Sequence, residues 1–355
     1  MKKYKLSEIC FNITDGTHST VIDDKQSNYF LLSCKNIKDG KINISKNDRK
    51  ISIETLKSLR KRTKMELNDV VLTSVGTIGQ SSYIRESNPP FEFQRSVAIL
   101  KPNLNYVLSQ YLHYYFISSI GQSNIQSRIK GAAQPCLFLN DIKTMEIMLP
   151  EFQVQQHIVD TIGSVDNLIE KYEEIINKNS KIFNYLYDKN TQTIEVVLQD
   201  IAEIKYGKGL TASDLSFNNK YKVYGGNGII GTLPTYEHEN NKIAISCRGA
   251  ASGNLLLTEK YSTISSNSLY LNLYNETHFA DIYYYLLKAN LTSLTTGSAQ
   301  PQITIENIKD LKIKICTNSL LNQKGKQILD SNFKHNKKID KLKEIKETLL
   351  QKYFG

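Results

Sequence analysis

The chain has few cysteines, no long apolar run and no leader-like start. Its five cysteines, among 355 residues, are scattered and form no Cys-x-x-Cys pair, which argues against a disulfide framework or a zinc site. No segment approaches the ~20 consecutive apolar residues of a membrane helix, and the lysine-rich residues 1–5 run into Glu8 rather than an apolar core. We therefore expect a cytoplasmic protein with reduced cysteines and no metal.

Catalytic signatures are also missing from the sequence. No Gly-x4-Gly-Lys-Ser/Thr phosphate loop occurs, so ATP chemistry is not expected in this chain. The six histidines show no metal-ligand spacing, and no nucleophile elbow surrounds any serine. We predict a chain with no catalytic residue and no cofactor of its own.

Positive charge is concentrated in two parts of the chain. Residues 1–150 carry 21 basic and 13 acidic side chains, and residues 324–355 carry nine and four, whereas residues 151–190 are net acidic and 191–323 are balanced. A basic surface on a chain of ordinary composition points to phosphate-bearing partners, most simply nucleic acid. The alternative is a basic surface that serves only solubility, because the net charge of +10 does not by itself indicate a nucleic-acid partner.

A regular apolar stripe runs from residue 158 to residue 186. Alternating steps of four and three residues join nine positions, of which only Asn179 is neither apolar nor aromatic; this is a heptad seam. So narrow a stripe predicts one long helix paired with one partner, expected near the C-terminus where the spacing recurs with opposite net charge. Two unrelated amphipathic helices are the alternative. The predicted pairing residues are Ile158, Ile162, Val165, Ile169, Tyr172, Ile176, Phe183, Ile339, Leu342 and Leu349.

The chain contains an internal duplication. Residues 131–143 (GAAQPCLFLNDIK) coincide with residues 297–309 (GSAQPQITIENIK) at Gly, Ala, Gln, Pro, Ile and Lys positions, and each copy continues through an apolar strand into a long helix. Residues 108–116 match 279–287 as an amphipathic helix, and residues 71–79 match 244–253 as a strand running into a glycine turn. The order is therefore module, long helix, module, long helix.

Each module should be mostly β-structure. Tyrosine-rich and β-branched runs are broken by Gly, Asn and Pro, with one or two helices before the Gln-Pro turn. We predict an α/β (α+β) protein with two pseudo-repeated, mostly-β domains, each followed by a long coiled-coil helix. The predicted boundaries are 1–150 for the first module, 151–190 for the first long helix, 191–318 for the second module and 319–355 for the second long helix.

Four segments, taken in order, resemble a known family. They are residues 15–20 (DGTHST), 224–231 (YGGNGIIG), 247–254 (CRGAASGN) and the Gln-Pro turn that leads through residues 148–158 (MLPEFQVQQHI) into the long helix. Their order, together with the duplication, resembles the DNA specificity subunit of type I restriction-modification systems over essentially the whole chain. No single segment is specific, whereas the order is.

The resemblance implies a function and partners. In that family two target recognition domains each read one half of a split DNA sequence and are held apart by two antiparallel helices. The resemblance therefore implies two domains separated by two long antiparallel coiled-coil helices, with pseudo-twofold symmetry. The two conserved helices dock two methyltransferase subunits and, in the larger complex, ATP-driven restriction subunits. The chain would then be a non-catalytic DNA-recognition subunit, with S-adenosylmethionine and ATP bound by its partners.

Two departures from the family pattern carry expectations of their own. Residues 316–319 (CTNS) replace the Pro150-Glu151 pair of the first copy, so the second long helix should start more loosely. The Asp-Gly-Thr-His segment of the first module is not reproduced at residues 208–211, so the two modules should read different bases.

Two local motifs keep alternatives open. Residues 88–91 (NPPF) have the form of an amino-methyltransferase motif, and residues 226–231 (GNGIIG) fit a Gly-x-Gly-x-x-Gly string, as a free-standing DNA adenine methyltransferase would need. However, residues 232–234 (TLP) cannot begin a long helix, and no acid lies about 20 residues on. We interpret both motifs as turns between strands. A scaffold that binds only protein is a third reading.

Loop residues with donor and acceptor groups are the candidates for reading base edges. In the first module we predict Thr14, Asp15, Thr17, His18, Lys35, Asn36, Ser74, Thr77, Gln94 and Arg95. In the second module we predict Lys205, Lys208, Tyr224, Asn227, Arg248, Ser252, Asn254, Ser266 and Asn267. We assign to DNA phosphates Arg60, Lys61, Arg62, Lys64, Arg128 and Lys130. Gln134 and Gln300 are expected at the hinges between module and helix, and for every residue a solvated turn is the alternative role.

Overall fold

The computed structural model describes residues 1–131, 133–297 and 301–355, so Gln300 lies outside the described residues. The chain forms two compact units. Unit 1 comprises Met1–Glu170 and Asp340–Gly355, and unit 2 comprises Lys171–Ile339. Each unit therefore contains one module and a part of each long helix.

The first module alternates short strands with short helices. Its strands are β1 (Lys2–Lys5), β2 (Cys10–Asp15), β3 (Tyr29–Leu32), β4 (Ile37–Lys38), β5 (Lys41–Ile42), β6 (Lys50–Ile51), β7 (Val70–Thr73), β8 (Ser81–Tyr83), β9 (Phe91–Phe93), β10 (Val97–Pro102) and β11 (Glu146–Leu149). Its helices are α1 (Leu6–Ile9), α2 (Ile53–Thr63), α3 (Ser109–Ile117), α4 (Ser119–Gln126) and α5 (Leu139–Lys143), followed by the long helix α6 (Phe152–Asp188).

A four-stranded antiparallel sheet in the order β2-β10-β7-β8 is the centre of the first module. A second sheet, in the order β6-β3-β9, joins β3 and β9 in parallel, and β1 pairs with β11. The apolar residues of β7 and β10 lie on both faces. Leu72 and Leu100 pack against α3, and Val71 and Ile99 pack under the second sheet. Burial on both faces explains why these strands are continuous apolar runs rather than alternating ones.

The second module repeats this plan. Its strands are β12 (Thr193–Val197), β13 (Ala202–Tyr206), β14 (Tyr221–Gly225), β15 (Gly228–Leu233), β16 (Ile243–Ser246), β17 (Leu255–Leu257), β18 (Thr263–Ile264), β19 (Ser268–Leu273) and β20 (Lys312–Cys316). Its helices are α7 (Leu198–Ile201), α8 (Phe279–Lys288) and α9 (Ile305–Ile308), followed by the long helix α10 (Ser319–Phe354).

Apart from the short β4–β5 pair, which has no counterpart in the described part of the second module, the strands of the two modules match. The sheet orders β13-β19-β16-β17, β15-β14-β18 and β12-β20 repeat those of the first module, including the one parallel pair, β14 with β18. The predicted duplication and the mixed, strand-rich fold class are confirmed. The main difference is α2, which follows β6 in the first module, whereas residues 234–242 follow β15 with no helix.

The long helices pair in both units. In unit 1, Lys346 Nζ contacts Asp166 Oδ1 at 2.7 Å and the Tyr353 hydroxyl lies 3.4 Å from His157 Nε2, so late α10 meets early α6. In unit 2, Asn179 Nδ2 donates to Asn332 Oδ1 at 2.9 Å and the ring of Tyr172 stacks on that of His335, so late α6 meets earlier α10. The helices therefore run antiparallel in each unit, and the alternative of two unrelated helices is wrong.

The predicted seam faces inward along α6. Ile158, Ile162, Val165, Ile169 and Phe183 are buried, and Tyr172 and Ile176 are half-buried. On α10, Ile339 is buried while Leu342 and Leu349 are half-buried.

Two asparagines form hydrogen bonds at the start of α10; that this start is looser than that of α6 stays a prediction. Asn318 Oδ1 accepts a hydrogen bond from Leu321 N at 3.2 Å and so caps the first turn. Asn322 adds a buried contact, since its amide lies 3.3 Å from the Cys316 carbonyl oxygen. Asn318 and Asn322 thus hold the first turn of α10, at the place where α6 is preceded by the Pro150-Glu151 pair.

Candidate nucleic-acid interface

Four segments meet at one end of the central sheet of the first module. They are residues 15–18 after β2, residues 74–79 after β7, residues 94–96 before β10, and the antiparallel bridge of Lys130 with Cys136. Backbone hydrogen bonds join them: Arg95 N to Thr17 O at 3.0 Å, Ser74 N to Ser96 O at 2.9 Å, and Leu137 N to Ser74 O at 2.9 Å. We call these segments the first loop cluster.

The second module builds the same arrangement, the second loop cluster. It comprises residues 206–209, 247–254 and 265–267 together with the bridge of Thr296 with Gln302. The matching hydrogen bonds run from Ser266 N to Lys208 O at 2.8 Å, from Cys247 N to Asn267 O at 2.9 Å, and from Ile303 N to Cys247 O at 3.0 Å. The joining bonds are between backbone atoms, so side chains can differ without loss of the frame.

One glycine in each cluster permits this close approach. A Cβ atom on Gly16 would lie 2.1 Å from the Phe93 carbonyl oxygen, and a Cβ on Gly207 would lie 2.4 Å from that of Ile264. These positions are therefore equivalent, and only glycine fits them without displacing the neighbouring backbone. The structural counterpart of Asp15-Gly16-Thr17 is Tyr206-Gly207-Lys208, which shares only the glycine. That the two modules read different bases stays a prediction.

Several predicted residues of the first module are presented at its loop cluster. His18, Thr77, Arg95 and Lys130 are exposed, and Asp15 and Gln94 are partly exposed. His18 Nε2 lies 2.6 Å from Asp15 Oδ2, and Lys130 Nζ lies 2.6 Å from Asp141 Oδ1. Lys35 is also exposed. It lies near this cluster because the carbonyl oxygen of the adjacent Cys34 accepts a hydrogen bond from the Thr77 hydroxyl.

Five predicted base-reading residues are less than a tenth exposed, which is a correction to the sequence interpretation. Asn36 uses both amide hydrogens internally, on the Asn43 carbonyl and on Asp48 Oδ2, and therefore fixes a turn. The Tyr224 hydroxyl accepts from Glu259 N at 3.2 Å. These side chains support the loops rather than presenting groups at the surface. They are Thr17, Asn36, Ser74, Tyr224 and Ser252.

Two basic residues of α2, Arg60 and Arg62, form hydrogen bonds with other parts of the first module. Arg60 Nε donates to the buried carboxylate of Glu92 at 2.7 Å, and its Nη2 donates to the Phe91 carbonyl at 2.6 Å, so Arg60 has an internal role. Burial raises the pKa of Glu92, and the Arg60 guanidinium opposes that rise. Arg62 donates to the carbonyl oxygens of Asp15 and Gly16 and contacts Thr14.

The remaining basic residues assigned to phosphates differ in how exposed they are. Lys61 and Lys64 are exposed on α2 and at its C-terminal end. Arg128 is only partly exposed and donates to the Asn124 carbonyl at 3.0 Å. Lys61 and Lys64 are therefore better placed for a phosphate than Arg60 or Arg128.

In the second module the exposed members of the loop cluster are Lys208, Arg248, Asn254 and Asn267, with Ser266 partly exposed. Asn227 lies in the two-residue turn between β14 and β15, whose Gly226 approaches Ser246 and Asn267. Lys205 lies on β13 and pairs with Glu203 at 2.9 Å. Exposed Gln302, bridged to Arg248, was not predicted. The Gln-Pro repeat had already aligned it with Cys136, and that alignment was the available signal.

The motifs behind the enzyme alternative form turns. Phe91 is buried in β9, and the carbonyl oxygen of Pro89 accepts from Arg60 Nη2, so residues 88–91 lack an open face for a base. Residues 226–231 are the turn and the second strand of the β14–β15 hairpin, not a strand-to-helix loop. Among the described residues, no group of His, Cys, Asp and Glu could hold a metal ion, and no helix is long and apolar enough to span a membrane.

Two strand-rich modules, each ending in a cluster of polar loops, together with a pair of long helices, define a duplicated recognition protein. The chain belongs to the family of the type I restriction modification DNA specificity domain, whose family model matches residues 1–178 and 192–351. The two matched segments correspond to the two copies of the module and their helices, which confirms the resemblance seen in the sequence.

The chain also shows similarity to individual proteins. The chain is 28% identical over 155 residues to the type I restriction enzyme EcoBI specificity subunit of Escherichia coli, a match that covers 44% of this chain and 32% of that protein. The chain is similar in fold to the crystal structure of a type I restriction-modification S subunit from M. genitalium, with a TM-score of 0.62, 18% identity and coverage of 100% and 96% of the two chains. The HsdS subunit from Thermoanaerobacter tengcongensis aligns with a TM-score of 0.38, 15% identity and coverage of 99% and 96%.

Proposed function

We propose that this chain is the non-catalytic DNA-reading subunit of a type I restriction-modification complex, and that each loop cluster reads one half of a bipartite target. The observation that carries the proposal is the pair of loop clusters. They share one set of backbone hydrogen bonds but present different side chains. A frame of this kind lets two copies of one fold read two different sequences.

The exposed side chains suit contacts in the DNA major groove. Arginine pairs with the O6 and N7 atoms of guanine, and asparagine or glutamine pairs with the N6 and N7 atoms of adenine. In the second loop cluster these roles fall to Arg248 and to Asn254, Asn267 and Gln302. In the first loop cluster Arg95 has such a role, while Lys61 and Lys64 serve the phosphates.

Partners would supply the chemistry. We assign S-adenosylmethionine and ATP to the methyltransferase subunits, expected in two copies, and to restriction subunits. The long helices are the proposed docking elements because apolar side chains remain exposed on α6, namely Leu168, Ile182 and Tyr185. In such a complex the target adenine would be flipped out of the stack by the methyltransferase, not by this chain.

Selection of bound duplexes from random DNA tests the proposal, using the full chain with its methyltransferase partner. The expected result is a bipartite consensus with two defined halves and an undefined gap. A single continuous consensus, or none, would contradict it. Titration of the purified chain with S-adenosylmethionine should show no binding, and Asn88→Ala should leave methylation by the complex intact. Loss of methylation in that variant with DNA binding retained would favour the enzyme reading.

A further inference from the structure

The second module contains an open groove beside its loop cluster. It has a volume of about 670 Å³, which is in the size range of small-ligand sites. Its walls include Tyr206 and Lys208 at the end of β13, Lys242 at the start of β16, and Tyr270 and Asn272 on β19. Because Gly207 and Lys208 also belong to the second loop cluster, the groove continues directly from the proposed DNA-reading surface.

In the first module helix α2 occupies that side of β2. There α2 lies against the sheet end, and Arg62 donates to the carbonyl oxygens of Asp15 and Gly16. The equivalent residues of the second module, Tyr206 and Gly207, instead line the groove. In the second module residues 234–242 form no helix that would occupy this side.

A charge pair also differs between the modules. The strand registers make Lys242 and Asn272 the equivalents of Asp69 and Lys101. In the first module Lys101 Nζ meets Asp69 Oδ2 at 2.9 Å, so the two charges cancel. In the second module Lys242 Nζ donates to the neutral Asn272 Oδ1 at 2.7 Å. The second-module pair therefore contains a cation and no acid.

This cation is only 9% exposed, and no carboxylate among the described residues forms an ion pair with it. Next to it, His238 is equally buried against the ring of Tyr270, and its Nε2 atom has no hydrogen-bond partner in the described part of the chain. A buried ammonium group without an anion is costly, and an entering anion would offset that cost.

Two of the acids near the groove have other cations as partners. Glu237 pairs with Lys208 at 3.3 Å, and Glu203 pairs with Lys205 at 2.9 Å and also accepts from Asn272 Nδ2 at 3.4 Å. Glu239 is exposed to solvent. Among the described residues, none of these three acids forms an ion pair with Lys242.

We propose that this groove binds a phosphate group through Lys242 and His238, and that in the assembled complex the group is a backbone phosphate of the DNA read by the second loop cluster. The assignment of DNA as the source rests on the proposed function, whereas the affinity for phosphate does not. The groove would then give the second module, whose net charge is zero, a contact with the DNA backbone. The first module has exposed lysines on α2 instead.

The test compares three variants of the full chain. Lys242→Met removes the cation, Asn272→Asp gives Lys242 the carboxylate that Lys101 has in Asp69, and Lys314→Met removes an exposed lysine of β20 as a control. For DNA carrying the selected site, the slope of log affinity against log salt should fall by about 0.9 in the first two variants and not in the control. Their thermal midpoints without DNA should not fall, because an unpaired buried charge has been removed or neutralised.

A second arm uses inorganic phosphate in place of chloride at constant ionic strength. Phosphate should raise the thermal midpoint of the wild type and of Lys314→Met more than that of Lys242→Met or Asn272→Asp. If phosphate acts through Lys242 but the DNA slope is unchanged, the site takes free phosphate and the DNA assignment is wrong. If wild type binds no DNA yet phosphate acts through Lys242, the proposed function fails and the phosphate site stands. Equal phosphate responses in all four proteins would overturn the site itself.

Discussion

The two modules share a frame and differ in how they use it. Gly16 and Gly207 allow the same backbone approach, and the same hydrogen bonds hold the loops in each cluster. Yet the first module covers its sheet end with α2, whereas the second leaves a groove there. The comparison teaches that the duplicated part is the backbone scaffold. The surface side chains are free to diverge. So is the segment that leads from β6 to β7 in the first module and from β15 to β16 in the second.

Each module is also tied to α6 by an aspartate. In unit 1 the Tyr114 hydroxyl donates to Asp166 Oδ2 at 2.8 Å. In unit 2 the Tyr284 hydroxyl donates to Asp188, which Lys288 also approaches at 3.4 Å. Helix α3 in the first module and helix α8 in the second are thus each hydrogen-bonded to α6, although the tyrosine and its aspartate are separated by different numbers of residues in the two copies. This common anchor explains how module surfaces can change while the attachment to the helix persists.

The largest expected effect is confined to the first module. Arg60→Met should lower its free energy of unfolding by about 3–5 kcal/mol, because it leaves the Glu92 carboxylate buried without its cation. Thermal or urea unfolding measures the change. The neighbouring exposed residue provides the control, since Lys61→Met should unfold like the wild type. Equal effects from the two variants would show that the internal ion pair does not hold α2.

The next effect should be equal in both modules. Gly16→Ala and Gly207→Ala each force a methyl group against carbonyl oxygens, and each should cost about 1–3 kcal/mol of stability. Hydrogen exchange resolves which module loosens. Gly209→Ala, in the same loop as Gly207 but with nothing within 4 Å of its added Cβ, should be near neutral. A neutral Gly207→Ala beside a damaging Gly16→Ala would break the equivalence of the two loops.

Acid should affect the first module through His113. Burial, with the nearby charges of Lys346 and Arg85, lowers the pKa of His113 from 6.5 to about 3. Because the folded pKa is the lower one, the stabilisation is complete above pH 6.5 and is lost as pH falls towards 3. His113→Leu should remove this dependence, a difference of about 1.4 kcal/mol per pH unit below 6.5. Unfolding measured from pH 7 to pH 5 tests it, with exposed His18→Gln as the control; parallel curves for wild type and His113→Leu would contradict it.

The smallest effect concerns phosphate contacts by α2. Lys61→Met should weaken binding to every DNA sequence alike and reduce the salt slope by about 0.9, because it removes one phosphate contact and no base contact. Binding isotherms at several salt concentrations, on cognate and unrelated duplexes, measure both quantities. A variant that changed the preferred bases would instead place Lys61 among the reading residues.

The sequence was informative where patterns are local or periodic. The heptad seam predicted α6 and a long partner helix near the C-terminus, and the Gln-Pro repeat predicted the duplication. Contacts between distant residues could not be predicted. Arg60 meets Glu92 across 32 positions, so a basic run on a helix was assigned wholly to phosphates although one member is internal. The match of Gly16 with Gly207 was missed because it depends on approach to another strand, and nothing in the flanking residues records that approach.

Base preference in the two halves of the target tests the central claim most directly. The complex is assembled with Arg95→Ala, with Arg248→Ala, or with both, and the methylated sites are mapped on genomic DNA. We expect each single variant to relax one half-site by about 1–3 kcal/mol at the affected base, in opposite halves, and the double variant to relax both. If the two single variants altered the same half, or weakened all sites uniformly, the assignment of one half-site to each loop cluster would be wrong.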